Sequence, residues 1–159
     1  MSRHEYTATV RWERGDAPFV DRRYSRAHVW AFDGGVEVPA SASPHVVRAP
    51  FSDAHAVDPE EAFVASVSSC HMLFFLDYAA QSQFVVDGYE DVARGTMGKN
   101  AAGQDFIRTI VLAPRVRFAG PNRPSSEEIA RLHERSHHDC FIANSVKTEI
   151  ICHPERSEA

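Results

Sequence analysis

Asp58-Pro59-Glu60-Glu61-Ala62-Phe63-Val64-Ala65-Ser66-Val67-Ser68-Ser69-Cys70-His71 is the stretch from which the fold is read. Asp58 is a strong N-cap, because its carboxylate accepts from first-turn amides that have no intrahelical partner. Pro59 suits the first helical position, where its missing N–H costs nothing. Glu61, three residues after the cap, completes a capping box. A helix is therefore expected from Pro59 to about Ser82. It is apolar on nearly every side, which in a soluble chain marks a buried central helix. Ser66, Ser68, Ser69, Cys70, His71 and Asp77 interrupt the apolar run, against the ~20 predominantly apolar residues that a membrane span needs. A chain of 159 residues has few other elements to cover such a helix. Burial against the same helix of a second subunit is expected.

Upstream, Glu5 to Trp12 alternates polar and apolar residues and suggests a strand, and His28 to Phe32 suggests a second. Asp33-Gly34-Gly35 is a turn signal. Val36 to Val38 and Val46 to Val47 would carry the chain back, so that residues 5–50 form an antiparallel meander. Downstream, Val85 to Thr96 and Phe106 to Phe118 read as two strands joined by the loop Lys99 to Gly103. Ser125, with Glu128 three positions on, opens a second helix over about 125–138, which carries Ile129, Leu132 and His133 on one face. Cys140 follows at a break, and a final strand is expected over about 147–153. The order gives a single domain over 1–159 of α+β class with antiparallel sheet.

Composition narrows the function. Seventeen basic against 22 acidic residues, with the basic ones scattered, argue against a nucleic-acid surface. The three cysteines, Cys70, Cys140 and Cys152, are widely spaced and odd in number, which fits neither a secreted disulfide framework nor a CxxC zinc ribbon. The first residues lack the apolar core of a signal peptide, so a cytoplasmic location is expected. Cysteines there are usually free, metal-bound or catalytic.

Two segments carry a family resemblance. Pro59-Glu60, followed ten positions after Glu60 by Ser69-Cys70, resembles the opening of the central helix in the OsmC/Ohr family. Cys140-Phe141-Ile142-Ala143-Asn144-Ser145 resembles that family's second cysteine segment, with Phe141 where many members have proline. The resemblance covers Tyr6 to His153. The polar stretch Arg14 to Arg26 departs from the short hairpin of the best-studied members.

The resemblance implies an intertwined homodimer, with antiparallel sheets wrapped around two central helices. It implies a thiol peroxidase acting on organic hydroperoxides, and less well on hydrogen peroxide. Cys70 would be the peroxidatic thiol, Cys140 the resolving thiol, and Glu60 the holder of an arginine that activates Cys70. Arg26 is the choice for that arginine, with Arg23 and Arg48 as alternatives. No metal or organic cofactor is implied, and the reductant would be an external dithiol such as a lipoyl group. Chemistry agrees with these roles. The thiolate is the nucleophile, and a thiol on an apolar helix needs a nearby cation to reach that form. A second thiol that condenses with the sulfenic acid protects it from over-oxidation. Ten residues of helix separate Glu60 from Cys70 by about 15 Å, too far for a glutamate side chain. Glu60 of one chain would therefore serve Cys70 of its partner.

Blander readings compete at several positions. Cys70 could be an inert core cysteine, and Glu60 a charge favoured by the helix dipole. Cys152 has no motif around it and reads as structural. His71 points about 100° away from Cys70 on the helix, against a Cys–His dyad. His133, His137, His138 and Asp139 read as a solvated helix end and not a metal cluster. Phe74, Phe75 and Tyr78 serve equally as core or as an apolar substrate pocket. The rival functions are a non-catalytic binding or redox-sensing module on the same fold and an acyl-transfer enzyme. The second lacks an oriented base and an oxyanion hole.

Overall fold

The capping box at Asp58 forms as the residue types dictate. Asp58 Oδ1 accepts the Glu61 amide at 2.7 Å, and the Asp58 amide donates to Glu61 Oε2 at 3.2 Å. In the computed structural model, which describes residues 4–155, helix α1 runs from this cap over Pro59–Gln81. The chain is organised as two units, Met1–Ala62 and Phe63–Ala159.

The first unit holds an antiparallel meander of β1 (Ala8–Arg11), β2 (His28–Phe32) and β3 (Glu37–Ala40). Gly35, at φ +83°, supplies the left-handed residue of the β2–β3 turn, and its amide donates to Phe32 O at 3.0 Å. Val46 and Val47 do not extend the meander. Both amides donate to Ser43 O at 2.9 Å, so this segment is a turn with Val46 exposed. The polar stretch between β1 and β2 is organised by aromatic rings. Phe19 stacks on Tyr24 at 4.8 Å, and Trp12 meets Tyr24 edge-on at 5.3 Å.

The second unit carries the rest of α1 and four strands where the sequence suggests two. They are β4 (Val85–Asp91), β5 (Arg94–Lys99), β6 (Asp105–Leu112) and β7 (Pro114–Ala119). Strand β4 pairs β7 and β5 pairs β6, so one long hairpin breaks into two sheets at the same level on both arms. Asp91 compensates the break: its Oδ1 accepts the Ala113 amide at 2.7 Å and its Oδ2 accepts the Ser68 hydroxyl. Pro114 then begins β7, a position where a missing N–H is tolerated. The last strand, β8 (Glu149–Cys152), joins β6 in parallel, a correction to the all-antiparallel expectation. A parallel approach needs a long crossover, and here it contains α2 (Ser126–Asp139) and a 3-10 turn at Ala143–Ser145.

Helix α1 presents Val67, His71, Phe75, Tyr78 and Ala79 inward at helical spacing. Phe75, Phe84, Val116, Phe118 and Leu132 form one core cluster, and Val67, Ile110 and Leu112 a second. The opposite face, with Ala65, Ser69, Leu73 and Ala80, is exposed in the single chain, Leu73 at 61%. By length and composition α1 could span a membrane, but buried His71 and the Ser68 bond to Asp91 tie it into the second unit.

Candidate active site

Cys70 lies at mid-length in α1 and is half-buried. Cys140 is the C-cap of α2, where the backbone leaves the helix at ψ 113°, and it is 1% exposed. Seventy residues separate them in sequence, yet the fold sets the two thiols close enough for Cys70 to act on the titration of Cys140. Both are free thiols.

The second helix is aimed by identifiable contacts. The capping box expected at Ser125 is present, with the Ser125 amide donating to Glu128 Oε2 at 2.7 Å. At the other end the Tyr78 hydroxyl of α1 donates to Asp139 Oδ2 at 2.5 Å, and Arg135 lies over the Tyr78 ring at 3.7 Å. This latch joins the two helices at the residue before Cys140. The 3-10 turn that follows returns amides toward the sulfur. The Ala143 amide donates to Cys140 Sγ at 3.4 Å, and Asn144 Nδ2 donates to the carbonyls of His138 and Cys140 at 2.8 and 3.1 Å.

Burial first, and then the neighbouring Cys70 thiol, push Cys140 well above its ordinary range, partly offset by the Ala143 amide. Cys140 therefore stays a protonated thiol at neutral pH, a form poorly suited to attack a peroxide itself. Phe74, one helical turn beyond Cys70, meets Phe141 edge-on at 5.1 Å, and Phe141 is 71% exposed. An aromatic lip thus borders the cysteine pair.

Glu60 and the arginine candidates belong to the first unit. Arg26 is held by its own loop: its Nη1 donates to the carbonyls of Arg22, at 2.8 Å, and Tyr24, and its guanidinium lies 3.8 Å above the Tyr24 ring. Among the described residues no ion pair joins Glu60 to Arg26, Arg23 or Arg48.

One histidine departs from the sequence reading. His133 is not part of a solvated helix end. It is 3% exposed, stacks on Phe75 at 4.3 Å, and meets His71 with an Nε2···Nδ1 separation of 3.0 Å. Desolvation lowers His71 to about pKa 4 and His133 to about 3, so both rings are neutral. Cys152, read as structural, lies 3.8 Å from His71 Nε2. The neighbouring histidines 137 and 138 face outward as expected. The apolar periodicity of α2 places position 133 beside Leu132 and Ile129 on its inner face, which was the available signal.

Residues 52–154 match the family model described as OsmC-like protein. The chain belongs to the OsmC-like family. Among solved structures, an OsmC-like protein of unknown function from Vibrio cholerae is 48% identical, with a TM-score of 0.94 over 96% of this chain and 100% of its own. Organic hydroperoxide resistance proteins share the fold at lower identity. The one from Elizabethkingia anophelis is 16% identical, with a TM-score of 0.70 over 99% of both chains. OhrB of Bacillus subtilis is 16% identical, with a TM-score of 0.63 over 96% of this chain and 98% of its own. No curated protein matches the sequence. The two helices and the antiparallel sheets are thus the OsmC-like α+β fold.

Proposed function

We propose that this OsmC-like chain is a cysteine-based peroxidase that reduces organic hydroperoxides, and hydrogen peroxide less well. The observation that supports it most is the proximity of Cys140 to Cys70, thiols brought together from the middle of α1 and the end of α2. In the first step the Cys70 thiolate attacks the distal peroxide oxygen. The O–O bond breaks, the alkoxide leaves and takes a proton as the alcohol, and Cys70 becomes a sulfenic acid. In the second step the Cys140 thiol displaces water from that sulfenic acid, and a Cys70–Cys140 disulfide forms. An external dithiol, such as a lipoyl group, exchanges with the disulfide and returns both thiols.

The neighbourhood of the pair suits this sequence. Cys140 needs no activation before the sulfenic acid exists, and its raised pKa is compatible with a resolving thiol. The Phe74–Phe141 lip favours an alkyl or aryl substituent over water-like hydrogen peroxide. The activating cation is Arg26, which its own loop holds in the single chain and which Glu60 would engage once the dimer forms. Glu60 and its arginine come from the partner of a homodimer, because ten helical residues separate Glu60 from Cys70 in one chain. The exposed α1 face of Ala65, Ser69, Leu73 and Ala80 supports such a partner. The working location is the cytoplasm, with neither nucleic acid nor membrane as partner.

The test is peroxide consumption with a dithiol reductant for the wild type, Cys70→Ser and Cys140→Ser. Cys70→Ser should abolish turnover. Cys140→Ser should start normally and then accumulate sulfinic acid at Cys70, detected by mass spectrometry. A wild type that consumes no peroxide while both thiols stay reduced would replace this reading with that of a binding module.

A further inference from the structure

Three elements of the second unit converge on a polar cluster that the peroxidase chemistry does not use. His71 comes from α1, His133 from α2 and Cys152 from β8. His71 and His133 are 1% and 3% exposed, and their ligand atoms and the Cys152 sulfur all lie within 4.8 Å of one another. The rings are nearly parallel, 10° apart. Their outer nitrogens, His71 Nδ1 and His133 Nε2, have no hydrogen-bond partner, and neither does the buried Tyr89 hydroxyl. Two neutral imidazoles carry two N–H groups, and the single Nε2···Nδ1 contact uses one. Whichever tautomer forms, one buried N–H is left unpaired. Three donor side chains from three separate elements thus turn their inner nitrogens and sulfur toward one point in the core, a convergence that apolar packing does not require.

We propose that His71, His133 and Cys152 bind a divalent cation of the zinc class. A tetrahedral centre with its usual bond lengths sets N···N at about 3.3 Å and N···S at about 3.6 Å. Two of the three separations, 3.0 Å and 3.8 Å, are within a few tenths of an ångström of these values, and the third, His133 to Cys152, lies within 4.8 Å and closes by a side-chain adjustment on binding. Two imidazoles and a thiolate form a borderline-soft donor set, which suits zinc over magnesium or calcium. Charge balances as well. Asp91, anchored by Ser68 and the Ala113 amide, acts electrostatically on both His71 and Cys152. Its carboxylate and the Cys152 thiolate together neutralise a dication in a buried setting. On binding, the proton between the imidazoles moves to an outer nitrogen, and one proton leaves from the Cys152 thiol. The ion would tie α1, α2 and β8 together through three protein ligands, with its fourth position filled by a water molecule. This site departs from the sequence expectation of no metal, and it does not depend on the peroxidase reading.

The experiment uses the full chain carrying Cys70→Ser and Cys140→Ser, so that Cys152 is its only thiol. After chelator treatment it is titrated with cobalt(II), followed by zinc. The expected result is one cobalt per chain with tetrahedral visible bands and a sulfur-to-cobalt charge-transfer band, all displaced by zinc. Adding Cys152→Ser should remove the sulfur band, and His133→Gln should weaken binding at least tenfold. Because His133→Gln could impair folding, zinc protection of Cys152 from alkylation is measured in the parent variant, where protection is expected. Absence of stoichiometric binding, a cobalt spectrum with no sulfur band, or alkylation indifferent to zinc would each overturn the proposal. Cobalt held only by surface histidines would give that second spectrum.

Discussion

Cys140 ends α2 with its sulfur enclosed, while Cys70, one contact away, is half-buried on α1. Exposure and protonation therefore predict an order of reaction. A thiol alkylating agent at neutral pH should label Cys70 first, with Cys140 resisting until the pH is strongly alkaline, because burial holds it in the thiol form. Peptide mapping after timed alkylation measures this, and equal labelling rates would refute it. Phe141 permits a second prediction. Truncation by Phe141→Ala removes one side of the Phe74 lip, and pocket contacts of this size discriminate by about 10- to 200-fold. The expected outcome is a fall of roughly tenfold in kcat/KM for a bulky aryl hydroperoxide, with little change for hydrogen peroxide. Both cysteines were legible in the sequence because each sits in a local segment of distinctive residues. The His71–His133 contact was not, since 62 positions separate the two and neither has a motif. In the sequence His133 stands in a run of helix-end histidines, and only the apolar periodicity it shares with Ile129 and Leu132 separates it from His137 and His138.

The first turn of α1 was readable because capping is local chemistry. Asp58→Ala should destabilise the protein by about 1 kcal/mol, while Asp58→Asn, an equally good cap, should cost much less. Chemical denaturation of the two variants measures the difference. The sheet corner was not readable, because residues 85–96 and 106–118 keep their apolar alternation through it. What breaks each strand is a long-range substitution: the Asp91 carboxylate takes the Ala113 amide in place of a ladder carbonyl. The latch between α1 and α2 leads to a pH prediction. The Tyr78 hydrogen bond first, and then His138, hold Asp139 below the ordinary carboxylate range. A depressed carboxylate contributes stability that is present above its unfolded pKa, about 4, and is lost as pH falls through its lowered folded value. The wild type should therefore be more stable than Tyr78→Phe at neutral pH, and the two melting curves should converge in acid. A stability gap that persists unchanged below the Asp139 titration would show that Tyr78 acts through packing alone.

At the scale of the whole molecule, α1 sets the problem that the single chain leaves open. Its exposed face carries Leu73 and two alanines, and its N-terminal Glu60 is ten residues from the thiol it would serve. The proposed two-fold dimer would resolve both at once, with each chain's helix start at the other chain's site across a self-complementary interface. Complementation separates this arrangement from independent sites. Glu60→Gln removes the arginine holder and Cys70→Ser removes the nucleophile, so each homodimer should be nearly inactive. In a mixed dimer one site is doubly damaged, while the other combines Cys70 from the first variant with Glu60 from the second. Random pairing makes half the dimers mixed, each with one intact site of two, so about a quarter of wild-type activity should return. The measurement is peroxidase activity after co-expression of the two variants, with light scattering to establish the dimer. If the sites are confined to single chains, both sites of every mixed dimer carry a lesion, and activity stays at the level of the separate variants.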